Sequence, residues 1–167
     1  IIDEKGAFSA VFPRSPMYCL TYEDIPDEED EGTYKYHLFI NQNFPTGNEF
    51  MIRYHDNPIA YVNYDDSVSM MEYEGGIWFG KDTVLNVSLN GYEGKEFLSE
   101  GKTNYYGEKV RKRVFMRGAR TYYLYVKLAD EQDSLAAEQF FNEFRFIDYQ
   151  PTTFDSVYTS EIDGFSL

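Results

Sequence analysis

Two neighbouring runs near the centre of the chain alternate apolar and polar side chains with the period of two that is typical of β-strands. They cover residues 110–117 and 121–128, and the residues between them suit a short hairpin loop. A three-residue loop pairs Val114 with Leu124 and gathers the aliphatic side chains on one face. The other face then carries the basic and aromatic candidates for a binding surface, which are Arg111, Arg113, Tyr123 and Tyr125.

A second hairpin is predicted from residues 34–41 and 50–55, which flank a turn-rich loop. A loop centred on Thr46 places His37 opposite His55 across the two strands. These are the only two histidines of the chain, and they are therefore candidates for a weak metal or pH-sensitive site. No third ligand has a suitable spacing, so the alternative, a pair of half-exposed strand histidines, is favoured.

Two further strands are indicated outside the hairpins. Residues 7–16 alternate apolar and polar positions until Pro13 ends the run. Residues 83–89 form an aliphatic run that leads into a turn at residues 91–94, where two glycines allow a tight backbone path. The acidic segment at residues 23–31 is interpreted as a solvated loop, because consecutive acids cannot all face one calcium ion.

Two segments have the features of helices. Residues 134–144 repeat apolar side chains at positions i, i+3, i+4 and i+7 behind the capping residue Ser134. Those apolar positions are Ala137, Phe140, Phe141 and Phe144. Residues 65–74 combine capping residues with an apolar side and end at a pair of glycines. Mostly antiparallel strands with two helices predict the α+β class, in which helices pack on an antiparallel sheet of about six or seven strands.

Length and charge narrow the function classes. The chain has 167 residues, which favours one domain with a substantial core, and its 29 acidic and 15 basic residues give a formal net charge of −14. This charge argues against general binding to nucleic acids or anionic membranes, which needs clustered Lys and Arg, and leaves a protein as the expected partner. Cys19 is the only cysteine, which excludes an intrachain disulfide, and no apolar run approaches the roughly 20 residues of a membrane helix. No cofactor is indicated.

The favoured function is a non-enzymatic protein-binding or assembly module, for which the 16 tyrosines can furnish contact area. One alternative is a binder of a small ligand or sugar in a cleft lined by tyrosines and Trp78. Another is an enzyme whose carboxylates meet only in the fold. Glu93 and Glu96 are the nearest pair of acids to consider, but they have no histidine or acidic partner of evident role, which argues against catalysis.

Four segments of the chain, taken together and in order, carry a family resemblance. They are FSAVFPRSP at residues 8–16, LNGYEGKEF at 89–97, RVFMRGARTYYL at 113–124 and FFNEFRF at 140–146. In type and order they resemble the PsbP-like family, which shares its fold with the Ran-binding Mog proteins, and most closely the bacterial PsbP-like proteins of unassigned role. The resemblance implies an α-β-α sandwich and a non-catalytic adaptor or assembly role, and it transfers no active site.

The resemblance also sets the expected domain organisation and location. Residues 1–147 correspond to one PsbP-like domain, and residues 148–167 to a polar tail or linker. The end of that tail, EIDGFSL, echoes IDEKGAFSA near the start, so a following repeat of the domain is a hypothesis. A location in the bacterial periplasm or cell envelope is expected from the family, with any signal or anchor lying outside this chain.

Overall fold

The described part of the chain is mostly β-strand. The structure, a computed structural model, describes residues 1–24, 33–57, 83–100, 109–129 and 133–148. In chain order these ranges form β1 (Ile2–Asp3), β2 (Phe8–Ser9), β3 (Met17–Asp24), β4 (Thr33–Asn43), β5 (Asn48–Asp56), β6 (Thr83–Leu89), β7 (Tyr92–Glu100), β8 (Lys109–Arg117), β9 (Arg120–Leu128), α1 (Ser134–Asn142) and β10 (Arg145–Phe146).

The strands form two antiparallel sheets. The large sheet has seven strands in the order β3-β4-β5-β9-β8-β7-β6, and the small sheet has the order β1-β2-β10. The prediction of an α+β sandwich with helices packed on the sheet is therefore wrong, because strands dominate the described residues and the one helix among them has nine residues. The layer that covers the large sheet is in part a second sheet, because the short strands β1 and β10 both pair with β2.

Several predicted features lie outside the described residues. They are the helix at residues 65–74, Trp78, most of the acidic segment at residues 23–31 and the tail after residue 148. The first predicted strand, at residues 7–16, is described and contains only the two residues of β2. The eight-residue strand β3 follows it and belongs to the large sheet. The alternation of apolar and polar positions did not predict this strand.

The core lies between the small sheet, α1 and one face of the large sheet, which we call the inner face. Phe8 of β2 stacks on Phe144, with ring centroids 5.4 Å apart. Phe140 of α1 meets Phe50 of β5 edge-on at 5.6 Å. All four side chains are 0% exposed, and burial of one side chain of this size stabilises a fold by about 1.5–3 kcal/mol. Aromatic packing therefore holds the two layers together.

The helix predicted at residues 134–144 is confirmed as α1, and its buried side chains are among the predicted apolar positions. It ends at Asn142, two residues earlier than expected, and the chain continues into β10. Asp133 precedes the helix without forming a side-chain cap. Its carboxylate instead accepts hydrogen bonds from the side-chain amides of Asn43 at 3.3 Å and Asn48 at 2.8 Å. Asp133 thus ties the start of α1 to the β4–β5 loop.

The β8–β9 hairpin exists, but its pairing differs from the predicted one by one residue. The loop is residues 118–119, so Val114 pairs with Tyr123 rather than with Leu124. A shift of one residue turns every side chain of one strand to the opposite face relative to its neighbour strand. The predicted faces are therefore wrong. The arginines of β8 share the inner face with Leu124, and Tyr123 lies on the other face, which we call the outer face.

The β4–β5 hairpin shows the same kind of difference. Asn43 pairs with Asn48 around a four-residue loop, whereas a loop centred on Thr46 has five residues. His37 therefore pairs with Tyr54, and the predicted pairing with His55 is wrong. An even-numbered loop in place of an odd-numbered one is the cause in both hairpins.

The β6–β7 turn consists of Asn90 and Gly91, whose φ angles are 53° and 84°. A two-residue loop with both φ angles positive matches the right-handed twist of the strands that it joins, and Asn-Gly is a favoured sequence for it. The turn predicted at residues 91–94 thus begins one residue too late. Gly94 lies within β7, directly opposite Phe115 of β8.

Candidate functional site

The two histidines lie on opposite faces of the large sheet. His37 is on the inner face, where its ring stacks on Tyr54 at 4.5 Å and its Nδ1 lies 2.8 Å from the Tyr18 hydroxyl. His55 is on the outer face, with its ring against the edge of Tyr36 at 4.7 Å. The predicted cross-strand pair does not form, and within the described ranges no three side chains of His, Cys, Asp or Glu converge on a common metal position. Each imidazole has a packing role.

His55 belongs to a buried network at the end of β5. The amide nitrogen of Asn57 donates to the carbonyl of Ala119 at 3.0 Å and to the hydroxyl of Thr121 at 2.7 Å. The amide oxygen is then the acceptor for Nε2–H of His55, 3.0 Å away. This network joins the end of β5 to the β8–β9 turn.

Acid should weaken the fold through His55. Burial, with a smaller effect from the nearby Arg53 charge, lowers the pKa of His55 from 6.5 to about 4. Between these two pKa values the unfolded chain therefore binds a proton at His55 and the folded chain does not. The contribution of neutral His55 to the free energy of unfolding is fully present above pH 6.5 and decreases as the pH falls towards 4. We expect a loss of about 2 kcal/mol between pH 7 and pH 5. Urea unfolding at both pH values measures this loss.

The matched variant for this test is His55→Gln, which keeps a polar side chain but does not titrate. Burial lowers the pKa of His37 as well, so some acid sensitivity should remain in the variant. The difference between the two proteins in their loss of stability on acidification isolates His55. An equal loss in both proteins would show that His55 is not the responsible group.

Tyr123 and Tyr125 lie on the outer face, away from Arg111 and Arg113. The two tyrosine rings are near-parallel, with centroids 6.3 Å apart. The cation over Tyr123 belongs to Arg53, whose guanidinium lies 4.9 Å from that ring and 4.6 Å from the ring of Tyr36. The four candidates from the β8–β9 hairpin are thus divided between two faces and do not form one surface.

Arg111 and Arg113 lie together on the inner face and bracket the buried carboxylate of Glu96. Nε of Arg111 donates to one oxygen of Glu96, and Nε of Arg113 donates to the other at 3.0 Å. Both guanidinium groups lie over the ring of Phe141 in α1, at 4.6 and 5.0 Å from its centroid. Arg111 also donates to the exposed carboxylate of Glu138 at 2.5 Å. We call Arg111, Glu96 and Arg113 the Arg–Glu–Arg cluster.

The role of Glu96 could not be read from the sequence. Glu93, its expected partner, lies on the outer face, because residues three apart in a strand point in opposite directions. Glu96 instead faces Arg113 directly across the β7–β8 pair. The cluster could have been predicted only if the register between β7 and β8 had been known, because that register places Glu96 opposite Arg113.

A cleft of about 760 Å³ opens between α1 and the strands β6, β7, β8 and β9, and we call it the α1 cleft. The charged residues that line it are Glu96, Lys109, Arg111 and Glu138. Most of the remaining wall is aliphatic and comes from Leu85, Leu98, Val110, Val126, Leu128 and Ala137. A largely apolar cleft with a few placed charges is the usual form of a binding site, and this volume is within the usual range.

The α1 cleft reaches the edge of the large sheet. In the described strand order β6 is the last strand on that side. The first four residues of β6 are exposed, including Val84 at 37% and Leu85 at 45%. Leu85 lines the cleft, whereas Val84, as its neighbour in a strand, points to the outer face. An exposed strand edge and an apolar cleft therefore lie side by side.

Two further findings concern membrane crossing and similarity to known proteins. In the described part of the chain, no helix combines the length and the apolar character needed to cross a bilayer. A scan against protein-family models, a search of curated proteins and a search of solved structures each found no match for the chain.

Proposed function

We propose that this chain is a non-catalytic protein-binding module that takes up an extended segment of another protein. The segment adds to the edge of β6 and places an apolar side chain in the α1 cleft. The observation that carries the proposal is the position of Leu85, which is exposed on the edge strand and also lines the cleft. In strand addition the main-chain hydrogen bonds provide affinity and pockets for alternate side chains provide specificity.

The charges in the cleft support binding rather than catalysis. Glu96 is engaged by two arginines through both of its oxygens, and Glu138 is paired with Arg111. A general acid or base needs a carboxyl group that lies within hydrogen-bond reach of the substrate and is available to transfer a proton. Carboxylates held in such ion pairs are suited to positioning the walls of the cleft. The cluster thus gives the cleft a fixed shape.

The residues that line the α1 cleft and the net charge of the chain indicate which kind of segment would bind. The described wall is mainly aliphatic, which favours an aliphatic side chain over a sugar ring, since sugars usually stack on aromatic residues. The net charge of −14 attracts a basic segment over long range and repels an acidic one. We therefore favour a basic, extended segment with apolar residues at alternate positions. Membership of the PsbP-like family stays a prediction, and its adaptor role agrees with this function.

A displayed library of random peptides tests the proposal. Selection against the protein should enrich peptides with apolar residues at alternate positions, and their affinity should fall as salt is added. Leu85→Lys should weaken the selected peptides by at least about tenfold, because the ammonium group enters the rim of the cleft. Val84→Lys is the matched control on the same strand and should change affinity by less than about twofold. Isothermal titration calorimetry measures both effects.

Two results would overturn this function. One is equal binding of the selected peptides to wild type and Leu85→Lys, which would place the site elsewhere. The other is the absence of any enriched peptide together with tight uptake of a small apolar dye that Ala137→Leu abolishes. Ala137 is buried in the cleft wall, so a larger side chain there reduces the cavity. That result would favour the small-ligand alternative.

A further inference from the structure

The opposite edge of the large sheet carries a second exposed surface. In the described strand order β3 is the last strand on that side. Its apolar side chains are unusually exposed for an edge strand, and the exposed ones are Met17 at 67%, Tyr18 at 51%, Leu20 at 37% and Tyr22 at 61%. Natural sheets usually protect an edge with Lys, Pro, inward-pointing charges or a bulge. Residues 17–22 contain no Pro and no charged residue, and the charged residues of β3 are Glu23 and Asp24 at its end.

The exposed side chains of β3 have a palindromic order. Tyr18, Leu20 and Tyr22 alternate along the strand and share the inner face, because side chains two apart point the same way. Leu20 is at the centre of the row, with one tyrosine on each side of it. Tyr18 is held in place by its hydrogen bond to His37 and by a ring contact with Phe39 at 5.1 Å. The row thus reads the same in both directions, and its Tyr18 is held in place by neighbouring side chains.

Self-complementarity is what a twofold interface between identical chains requires. An antiparallel pair of β3 strands centred on Leu20 places leucine opposite leucine and each Tyr18 opposite a Tyr22. Aromatic pairs directly across strands stabilise a sheet. The same register sets position 23, where the acidic run begins, opposite position 17 of the other copy.

We propose that β3 is a self-association edge, through which two copies of this chain join their seven-stranded sheets into one continuous sheet about a twofold axis at Leu20. This contact is closed, because each copy uses the same strand. It leaves β6 at both outer edges, so it is compatible with the proposed function but does not depend on it. The net charge of −14 on each copy opposes association, so added salt should strengthen it.

Sedimentation velocity over micromolar to millimolar concentrations tests the proposal. Wild type should show a species with twice the 19.6 kDa mass of the chain, and its share should rise with protein and with salt. Leu20→Lys should weaken association by at least about tenfold, since it places two like charges opposite one another at the axis. Val84→Lys is the matched control, because Val84 has the same 37% exposure on the other edge strand. It should leave association unchanged.

Disulfide trapping tests the register. In the proposed pair Cys19 lies opposite Thr21 of the second copy, and the two Cys19 residues are diagonal neighbours about 7–8 Å apart. A disulfide needs Cβ atoms within about 4.5 Å, so mild oxidation should leave wild type uncrosslinked. The double variant Cys19→Ser/Leu20→Cys brings two thiols directly opposite one another and should crosslink at least about tenfold faster than wild type.

Three outcomes would overturn the proposal. The first is a monomer at every concentration and salt level. The second is a dimer that persists in Leu20→Lys and disappears in Val84→Lys, which would place the interface at β6. The third is a monomer whose β3 backbone NMR signals shift when a strand-forming peptide is added, which would assign the edge to a foreign partner. Circular dichroism of each variant confirms that the fold is retained.

Discussion

Gly94→Ala is expected to destabilise the protein by about 3 kcal/mol, because the added methyl group would enter the space of a core aromatic ring. A Cβ atom at this position would lie 2.6 Å from Cε1 of Phe115 and 2.6 Å from the carbonyl oxygen of Val114. Real Cβ atoms do not approach other heavy atoms so closely. Gly94 is therefore required by the close approach of the Phe115 ring and the Val114 backbone rather than by a turn.

The ring of Phe115 has little room to move away. It is parallel to the ring of Phe144 at 6.4 Å and meets the ring of Phe146 edge-on at 5.9 Å. Its exposure is 2%. Relief of the clash would thus disturb the contact between the large sheet and the small one. In the Gly94→Ala background, Phe115→Leu should recover only part of the loss, because it removes the clashing ring atoms and leaves the clash with the carbonyl oxygen of Val114.

Gly91→Ala provides the contrast for urea unfolding measurements. Gly91 has a φ angle of 84°, but nothing lies within 4 Å of the position that an alanine methyl group would take there. The cost of this substitution should be the backbone strain alone, about 1–2 kcal/mol. If both alanine variants lose the same stability, or if Phe115→Leu gives no recovery, packing against Phe115 is not what makes glycine necessary at position 94.

The register of the central hairpin could not be predicted because β9 is apolar on both faces. Tyr122, Leu124 and Val126 cover the inner face, and Tyr123 is nearly as well buried on the outer face. A strand of this kind satisfies the hydrophobic pattern in either register, so only the loop length decides. The turn between β6 and β7 could have been predicted correctly, since Asn90-Gly91 is a strong two-residue hairpin signal, but the two glycines at 91 and 94 led to a predicted turn at residues 91–94.

The elements differ in how far local sequence determines them. The apolar positions of α1 follow the helical period, and the helix was predicted within two residues at its end. The short strands β1, β2 and β10 pair only because the fold brings residues 2–9 and 145–146 together. β3 has exposed apolar side chains on an edge, so the alternation that marks a half-buried strand is missing.

The candidate site was predictable only in its parts. The sequence indicated Arg111 and Arg113 as a basic pair, but their partner and their face depend on two registers. The α1 cleft joins α1, which begins at Ser134, to β6 and β7, which end at Leu89 and Glu100, and local sequence pattern cannot predict contacts over such separations. A role of Arg111, Arg113 and the α1 cleft in binding stays a prediction.

Glu96→Ala is the second variant for which a large effect is expected, a loss of about 3–5 kcal/mol in the free energy of unfolding. The Glu96 side chain is 6% exposed, and those of Arg111 and Arg113 are 24% and 18% exposed. Removing the carboxylate leaves two half-buried guanidinium groups beside each other with no anion between them. Arg111 keeps the exposed carboxylate of Glu138, but among the described residues Arg113 keeps only the backbone carbonyl of Phe141. A half-buried charge without an anion is costly because its lost hydration is not compensated.

Replacing all three residues of the Arg–Glu–Arg cluster with methionine distinguishes this charge effect from a loss of packing. The triple variant removes every charge that needs compensation and keeps comparable side-chain volume over Phe141, so it should be more stable than Glu96→Ala. Urea unfolding of wild type and both variants gives the comparison. A triple variant that is less stable than Glu96→Ala would show that the cluster contributes net attraction. In that case the ion pairs themselves, rather than the cost of breaking them, would hold β7 and β8 against α1.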